Sequence, residues 1–340
     1  MIITVTPNPS IDRSQSLSGP LEIGGVNRVA SGVDQAGGKG INVATVIHHA
    51  GHDVLALAPA DPTSDFADLV RTADLPARFI GGNSSTGTGV RVNLTLTDAD
   101  GVTTKINSPG DTEASGETLA DAVAHTLTDV TAQHLDGPHW LVLAGSLPPG
   151  YPDNWYATMT ATAHEMGFRV AVDTSDAALT ALVDLADRNP AAAPDLVKPN
   201  SHELAQITGG DGDAMEAAAA SGDRDAVVTA ASTLLDRGFG AALVSLGAAG
   251  ALLVSRDDST GADPSAWFCP SPSVTAVSTV GAGDSTLAGY LVGAVRGLPA
   301  PDRLSLAVAH GTTAVTLPGT TLPTPHDLPD TLPEPRSARP

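Results

Sequence analysis

The sequence predicts an α/β fold: a largely parallel central sheet with helices on both faces, a three-layer arrangement, plus a small β-sheet lid. Three observations lead there. Short apolar runs alternate along the chain with longer segments of helical spacing, the mark of successive βαβ units. One stretch, 86–107, breaks this rhythm with apolar–polar alternation, as a half-exposed antiparallel sheet does. Two glycine clusters, 37–40 and 281–283, each run straight into a helical pattern.

The 340-residue chain opens on Ile2-Ile3-Thr4-Val5-Thr6, a strand over 2–6 that ends in a turn carrying Asp12. Gly37-Gly38-Lys39-Gly40-Ile41-Asn42 then starts a helix over 41–50, with Gly51 as its stop. Further strands are expected over 54–59, 140–144, 169–173, 195–198 and 241–245, with another over 251–254. Helices are expected near 64–72, 117–130, 153–166, 177–186, 225–237, 284–296 and 303–316. Within 86–107, Val90, Val92, Leu94 and Leu96 alternate with polar residues, and Asp100-Gly101 supplies a hairpin turn into Val102–Ile106. Together with residues 12–30 this segment predicts the lid. The stretches 208–224 and 256–265 read as acidic, small-residue loops. Residues 319–340, rich in proline and poor in apolar side chains, read as a disordered tail after a folded body over 1–318.

The chemistry is concentrated in Ser278-Thr279-Val280-Gly281-Ala282-Gly283-Asp284. A small-residue turn entering a helix aims free backbone N–H groups and the positive helix end at one spot. That spot holds an anion, or the charge that builds on a phosphoryl group in transfer. Asp284, in the first helical turn, is placed to accept a hydroxyl proton. Leu287, Tyr290, Leu291, Ala294 and Val295 anchor that helix to a core. A lone Gly-Ala-Gly-Asp is also an ordinary turn; the second glycine cluster is what strengthens the reading. Neither cluster fits the P-loop or the dinucleotide fingerprint.

Composition narrows the class. A net charge of −21 argues against nucleic acid or an anionic membrane as partner. No run reaches the ~18 apolar residues of a membrane span, and no signal peptide is visible, so a cytoplasmic enzyme is expected. The single cysteine, Cys269, reads as a small buried hydrophobe. Only three lysines occur, Lys39, Lys105 and Lys198. Two of them fall beside the glycine and Pro-Asn motifs, as phosphate-contacting lysines do.

Read together, Thr6-Pro7-Asn8-Pro9-Ser10-Ile11-Asp12, Gly24-Gly25-Val26-Asn27-Arg28 and residues 37–44 resemble the ribokinase-like (PfkB) carbohydrate kinases. Arg91-Val92-Asn93, Gly145-Ser146-Leu147-Pro148, Lys198-Pro199-Asn200 with Glu203, Ser245-Leu246-Gly247 and residues 278–285 continue the pattern in family order over roughly 1–318. The branch resembled is that of bacterial 1-phosphofructokinases and tagatose-6-phosphate kinases. The resemblance implies ATP and Mg²⁺, with Asp284 as base and Gly281, Ala282 and Gly283 supplying an anion hole.

The same resemblance makes Asp12, Gly38, Lys39, Gly40, Asn42, Asn93 and Ser146 sugar contacts, and Arg91 and Arg28 clamps for the substrate phosphate. It places Lys198, Asn200, Glu203, Ser245, Gly247 and Gly250 at the nucleotide, with Glu203 near Mg²⁺ through water. It also implies a lid that pairs two subunits. Each role has a plainer alternative: a turn Asp at 12, an edge-strand arginine at 91, a turn glycine at 250. Neutral-sugar relatives usually begin the anion-hole motif with Asp-Thr. Ser278 stands there instead, which leaves a potassium requirement in doubt. Fructose 1-phosphate is the expected substrate, with fructose or tagatose 6-phosphate next and a non-catalytic sugar-phosphate sensor as a distant alternative.

Overall fold

The computed structural model describes residues 1–339 apart from 82–88, 111–113, 134–136 and 257–263. In chain order, β1 (Ile2–Val5), β2 (Ser10–Leu17), β3 (Val29–Gly37), α1 (Lys39–His49), β4 (Val54–Pro59), α2 (Asp65–Thr72) and β5 (Ala77–Ile80) come first. They are followed by β6 (Arg91–Thr97), β7 (Thr103–Asn107), α3 (Gly116–Ala132), β8 (Trp140–Ala144), α4 (Trp155–Glu165), β9 (Arg169–Asp173) and α5 (Asp176–Ala186). The rest comprises β10 (Leu196–Val197), α6 (Ser201–Thr208), α7 (Gly212–Ser221), α8 (Asp225–Asp236), β11 (Ala241–Ser245), β12 (Gly250–Ser255), β13 (Ser265–Pro270), α9 (Ala282–Val295), α10 (Ala300–Thr316) and β14 (Arg336–Ser337).

The large sheet has the order β14-β13-β12-β11-β10-β9-β8-β1-β4-β5. From β5 to β11 every pairing is parallel; β12, β13 and β14 close the other end antiparallel. Parallel strands need cover on both faces, so they read as continuous apolar runs. β8, Trp-Leu-Val-Leu-Ala, is buried throughout. Successive side chains divide between the two faces. Leu141 and Leu143 join Val123, Tyr156, Leu179 and Leu234 from α3, α4, α5 and α8 on one side. Trp140, Val142 and Ala144 join Ile47, Leu287 and Leu304 from α1, α9 and α10 on the other. Helix α9 is buried from Asp284 to Ala294, and it meets α10 at Gly289, where a Cβ would fall 2.5 Å from the Leu306 carbonyl oxygen.

The lid is a separate four-stranded sheet, β3-β2-β6-β7. β6 lies parallel to β2, while the outer pairings are antiparallel. Three sequence expectations are corrected here. The lid takes in β3, whose Ser, Gly and Asp content hid its alternation, and residues 18–28 between β2 and β3 form an exposed arm rather than strand. Residues 86–88 lie outside the described residues.

Residues 208–224 are not a loop. Asp211 caps α7 by accepting from the N–H groups of Asp213 and Ala214, and Gly222 ends it in the left-handed conformation. Most of 256–265 lies outside the described residues, and β13 begins at Ser265.

The third correction concerns the tail. The proline-rich segment is laid against the body: Leu322 packs on the second apolar cluster, and the Ser305 hydroxyl donates to the Pro333 carbonyl at 2.6 Å. β14 then pairs with β13. Low apolar content means that the segment has no core of its own; its burial comes from docking onto surfaces the rest of the chain has built.

Candidate active site

Because β1, β8, β9, β10 and β11 run parallel, their carboxyl ends open on one edge of the sheet, where such folds bind ligands. Helix α1 starts hard against the end of β1. At Gly38 (φ 109°) a Cβ would lie 2.6 Å from Thr6 Cγ2, and at Gly40 one would lie 2.4 Å from Thr6 Oγ1. This close approach puts Lys39 over the end of β9. Its Nζ donates to Asp173 Oδ1 at 2.8 Å, and Lys198, just past β10, brings its Nζ to 3.0 Å from Oδ2.

Asp173 is wholly buried. Burial pushes its carboxyl up, but the two ammonium groups outweigh that and hold it below the usual carboxylate range. Burial likewise acts to lower Lys39, yet the charges of Asp173 and Asp284 reverse the direction and keep it protonated.

Gly281 caps α9 in the left-handed conformation (φ 77°) with no side-chain cap, so the first N–H groups of the helix have no intrahelical acceptor. The Lys198 ammonium lies beside this turn, 3.4 Å from where a Cβ on Gly283 would sit. Asp284 Oδ2 accepts from Asn42 Nδ2 at 2.7 Å, which joins α9 to α1. Burial first, and then the charge of Asp173, push the Asp284 carboxyl up to about 6, against the pull of Lys39, Asn42 and Lys198. A carboxylate poised there can take a proton near neutral pH. Lys39 and Lys198 are balanced by Asp173 and Asp284, so attraction for an anion falls to the α9 N-terminus and to the lid.

The lid supplies Asp12, Arg91 and Asn93. Register sets Ser10 opposite Arg91 and Asp12 opposite Asn93, on one face of the sheet. Asp12 Oδ1 accepts from Ser10 Oγ at 2.8 Å and from Asn93 Nδ2 at 3.0 Å. Asn93 Oδ1 is buried without a partner. Among the described residues Arg91 donates only to neutral carbonyls, those of Ser108 and Asn8, each at 3.2 Å, and its buried Nε has no acceptor. Among the described residues no carboxylate neutralises it. Burial lowers its pKa, with Asp12 opposing.

On the opposite side of the α9 turn lies a cleft of about 530 Å³, lined by Asn200, Ser245, Gly247, Gly250, Ala282 and Gly283 together with Val308 and Val315 of α10. A cleft of that size, apolar at one end and glycine-lined at the helix N-terminus, fits a nucleotide. Asn200 and Glu203 form a reciprocal capping box on α6, with both bonds at 2.8 Å. Their first role is therefore to begin that helix; among the described residues it leaves one Glu203 oxygen without a hydrogen bond. Among the described residues no group of three or more His, Cys, Asp or Glu side chains is arranged to hold a metal.

Most of the residues expected from sequence thus converge. Arg28 does not: it lies exposed on the lid arm, and among the described residues only its carbonyl is engaged, by Ser18. Ser146 is exposed at the rim and accepts from Asn8 Nδ2 at 3.3 Å. Sequence reasoning missed Asp173 and Asn8. An acid ending a buried strand, Val170-Ala171-Val172-Asp173, was a usable signal for the first. Nothing local marks Asn8, whose Nδ2 ties the β1 turn to Pro109 and Ser146.

A family profile described as pfkB family carbohydrate kinase matches residues 6–327. The 1-phosphofructokinase of Rhodobacter capsulatus is 36% identical over 329 residues, covering 96% of this chain and 94% of that protein. The 1-phosphofructokinase of Haloferax volcanii is 35% identical over 336 residues, 98% and 95% of the two chains. Among solved structures, phosphofructokinase-2 from Escherichia coli in complex with fructose-6-phosphate aligns with a TM-score of 0.77 at 25% identity over 96% of each chain. Ribokinase from Thermotoga maritima shares the fold, with a TM-score of 0.64 at 18% identity over 97% of this chain and 96% of that one.

Proposed function

The chain belongs to the pfkB family of carbohydrate kinases, and from that premise we propose that it transfers the γ-phosphoryl group of ATP to the free primary hydroxyl of a ketohexose monophosphate. Fructose 1-phosphate is the preferred acceptor, and fructose 1,6-bisphosphate the product. The observation that carries this reading is the buried Asp284, held by Asn42 at the N-terminus of α9 between the lid and the cleft.

The sugar lies under the lid, with Asp12 and Asn93 on its hydroxyls and Arg91 on its phosphate. ATP lies in the cleft with its terminal phosphate at residues 281–284. Asp284 takes the proton of the primary hydroxyl. The oxygen bonds to the γ-phosphorus, the bond to the β-γ bridging oxygen breaks, and ADP leaves. The free amides at the start of α9 meet the negative charge on the transferring group, joined by the one positive charge that Lys39 and Lys198 hold in excess once Asp284 has taken the proton. Mg²⁺, when bound, neutralises the triphosphate. Its preference for water and phosphate oxygens suits a site with few carboxylates, and Glu203 would hold it through water.

Asp284→Asn should lower kcat by on the order of 10²–10⁴ while ATP binding stays close to that of the parent. Turnover near the parent value would sink the base assignment. Comparing kcat/KM for fructose 1-phosphate, fructose 6-phosphate and tagatose 6-phosphate tests the acceptor; a tenfold preference for either 6-phosphate would overturn it. Arg91→Ala should weaken sugar-phosphate binding by roughly 1.5–3 kcal/mol. A panel that releases no ADP with any acceptor would favour a sensor over an enzyme.

A further inference from the structure

Residues 319–323 leave α10 and cross between the lid and the start of α9, touching both within four residues. The Ser278 hydroxyl donates to the Gly319 carbonyl at 2.6 Å, fixing the strap at the head of the glycine turn. The Thr320 hydroxyl donates to Gln35 Oε1 on β3. By register Gln35 lies directly opposite Asp12. Leu322 then closes over Gly281: its Cδ2 lies 2.8 Å from where a Cβ on that glycine would stand, and among the described residues, chain neighbours aside, no other side chain comes within 4 Å of that point. The Pro323 carbonyl ends the strap 3.2 Å from Nδ1 of His49, the last residue of α1, the helix that carries Lys39 and Asn42.

A left-handed glycine without a side-chain cap has the widest conformational freedom of any residue, and here its dihedrals set where the first amides of α9 point. Catalytic donors work only when held in place. We propose that this strap is a positioning device for phosphoryl transfer. Leu322 restrains Gly281 and with it the anion hole, and Thr320 ties the same segment to the strand opposite the sugar acceptor Asp12. The strap thereby sets the distance between the sugar hydroxyl and the amides that receive the transferring phosphate. Leu322 and Thr320 are positioning residues that act through Gly281 and Gln35; neither touches a reacting atom. The inference rests on the reading of Asp284 and residues 281–284 given above.

The test is steady-state kinetics on the full chain with Leu322→Ala, Leu322→Met and Thr320→Val. Ser305→Ala serves as control, since it releases only the far end of the tail at Pro333. Leu322→Ala is expected to lower kcat roughly tenfold, within the range for displaced catalytic geometry, with both KM values within twofold of the parent. Leu322→Met should restore most of that loss. Thr320→Val should raise KM for the sugar phosphate threefold or more and leave KM for ATP unchanged. Ser305→Ala should match the parent in all three constants.

A Leu322→Ala kcat within twofold of the parent overturns the inference. So does an equal kcat loss in Ser305→Ala at a matching fall in thermal midpoint, which would make the contact merely structural. If Leu322→Ala does not fold, Leu322→Val is read in its place by the same criteria. Asp284→Asn measured alongside separates the two readings. An active Asp284→Asn removes the base assignment, whereas an inactive one beside an unaffected Leu322→Ala removes only the strap.

Discussion

At the scale of single residues, Asp284 carries opposing demands. Its folded-state pKa of about 6 lies above the ordinary value of 3.8, so the folded chain binds this proton more tightly than the unfolded chain does. Stability contributed by this group therefore falls as pH rises from about 3.8 to about 6, and stays lower at neutral pH. Asp284→Asn should accordingly melt higher than the parent at pH 7.5, by roughly 2–4 °C, while losing turnover; a lower melting temperature would contradict the buried-charge account. Activity runs the other way. As the proposed base Asp284 must be ionised, so kcat/KM should fall about tenfold per pH unit below its pKa. Asp173→Asn removes a neighbouring negative charge, so it should move that acid limb to lower pH. It should also cost turnover, because Lys39 and Lys198 lose their shared counter-ion. An acid limb that stays in place would show that Asp173 does not set the Asp284 pKa. The glycine turn and Asp284 were legible in sequence because adjacent residues make them. Asp173 was harder, because its meaning comes from two lysines 134 and 25 positions away that meet only in the fold.

Elements show the same division between local and distant information. The parallel strands and most helices could be read directly, because apolar period and caps are written into short stretches such as β8 and the start of α3. Helix α7 was missed although Asp211 and Gly222 mark its ends; acidic, small side chains outweighed the caps in that reading. Strand β3 and the docked tail could not be read, since each is defined by a partner elsewhere. Gly250 was open between a turn and a ligand contact. It begins β12 at φ 125°, where a Cβ would fall 2.1 Å from the Cys269 carbonyl oxygen. Gly250→Ala should therefore cost roughly 1–3 kcal/mol or more from backbone strain alone, read as a fall in the urea midpoint. A second element-level device joins α4 to the start of β10. The ring of His164 makes contacts of 3.0 Å with Asp195 Oδ2 and 2.8 Å with the Ala191 carbonyl, and Asp195 also accepts from the Val170 N–H. The Asp195 bond raises the His164 pKa. A raised histidine stabilises fully below its unfolded value of 6.5, and that stability is lost as pH rises through the folded pKa. His164→Gln should thus lower the melting temperature more at pH 6 than at pH 8.5, and an equal drop at both would remove the ionic contribution.

For the whole molecule the question is what covers the lid. Val33 and Ile106 remain 61% and 56% exposed on its outer strands, and the arm between β2 and β3 carries Ile23 at 99% and Val26 at 80%. Both edge strands, β3 and β7, leave backbone groups unpaired. We propose that a second copy covers these residues in a two-fold dimer, which would also bring the exposed Arg28 against another subunit. Val33→Asp should then convert a particle of twice 34.1 kDa into one of 34.1 kDa. The charge of the chain adds a sharper prediction. Two subunits that each carry −21 repel at long range, while the faces that meet are apolar. Salt shortens the reach of that repulsion, from about 30 Å at 0.01 M to about 3 Å at 1 M, and leaves apolar burial intact. Raising potassium chloride from 0.05 to 1 M should therefore tighten the dimer, against the weakening that salt brings to an interface held by ion pairs. Sedimentation equilibrium across that range reads the sign directly. Tightening in the parent with no dimer of Val33→Asp at any salt supports an apolar lid contact working against the net charge. Weakening with salt would mean that charged pairs hold the subunits together, and the interface would have to lie elsewhere on the surface.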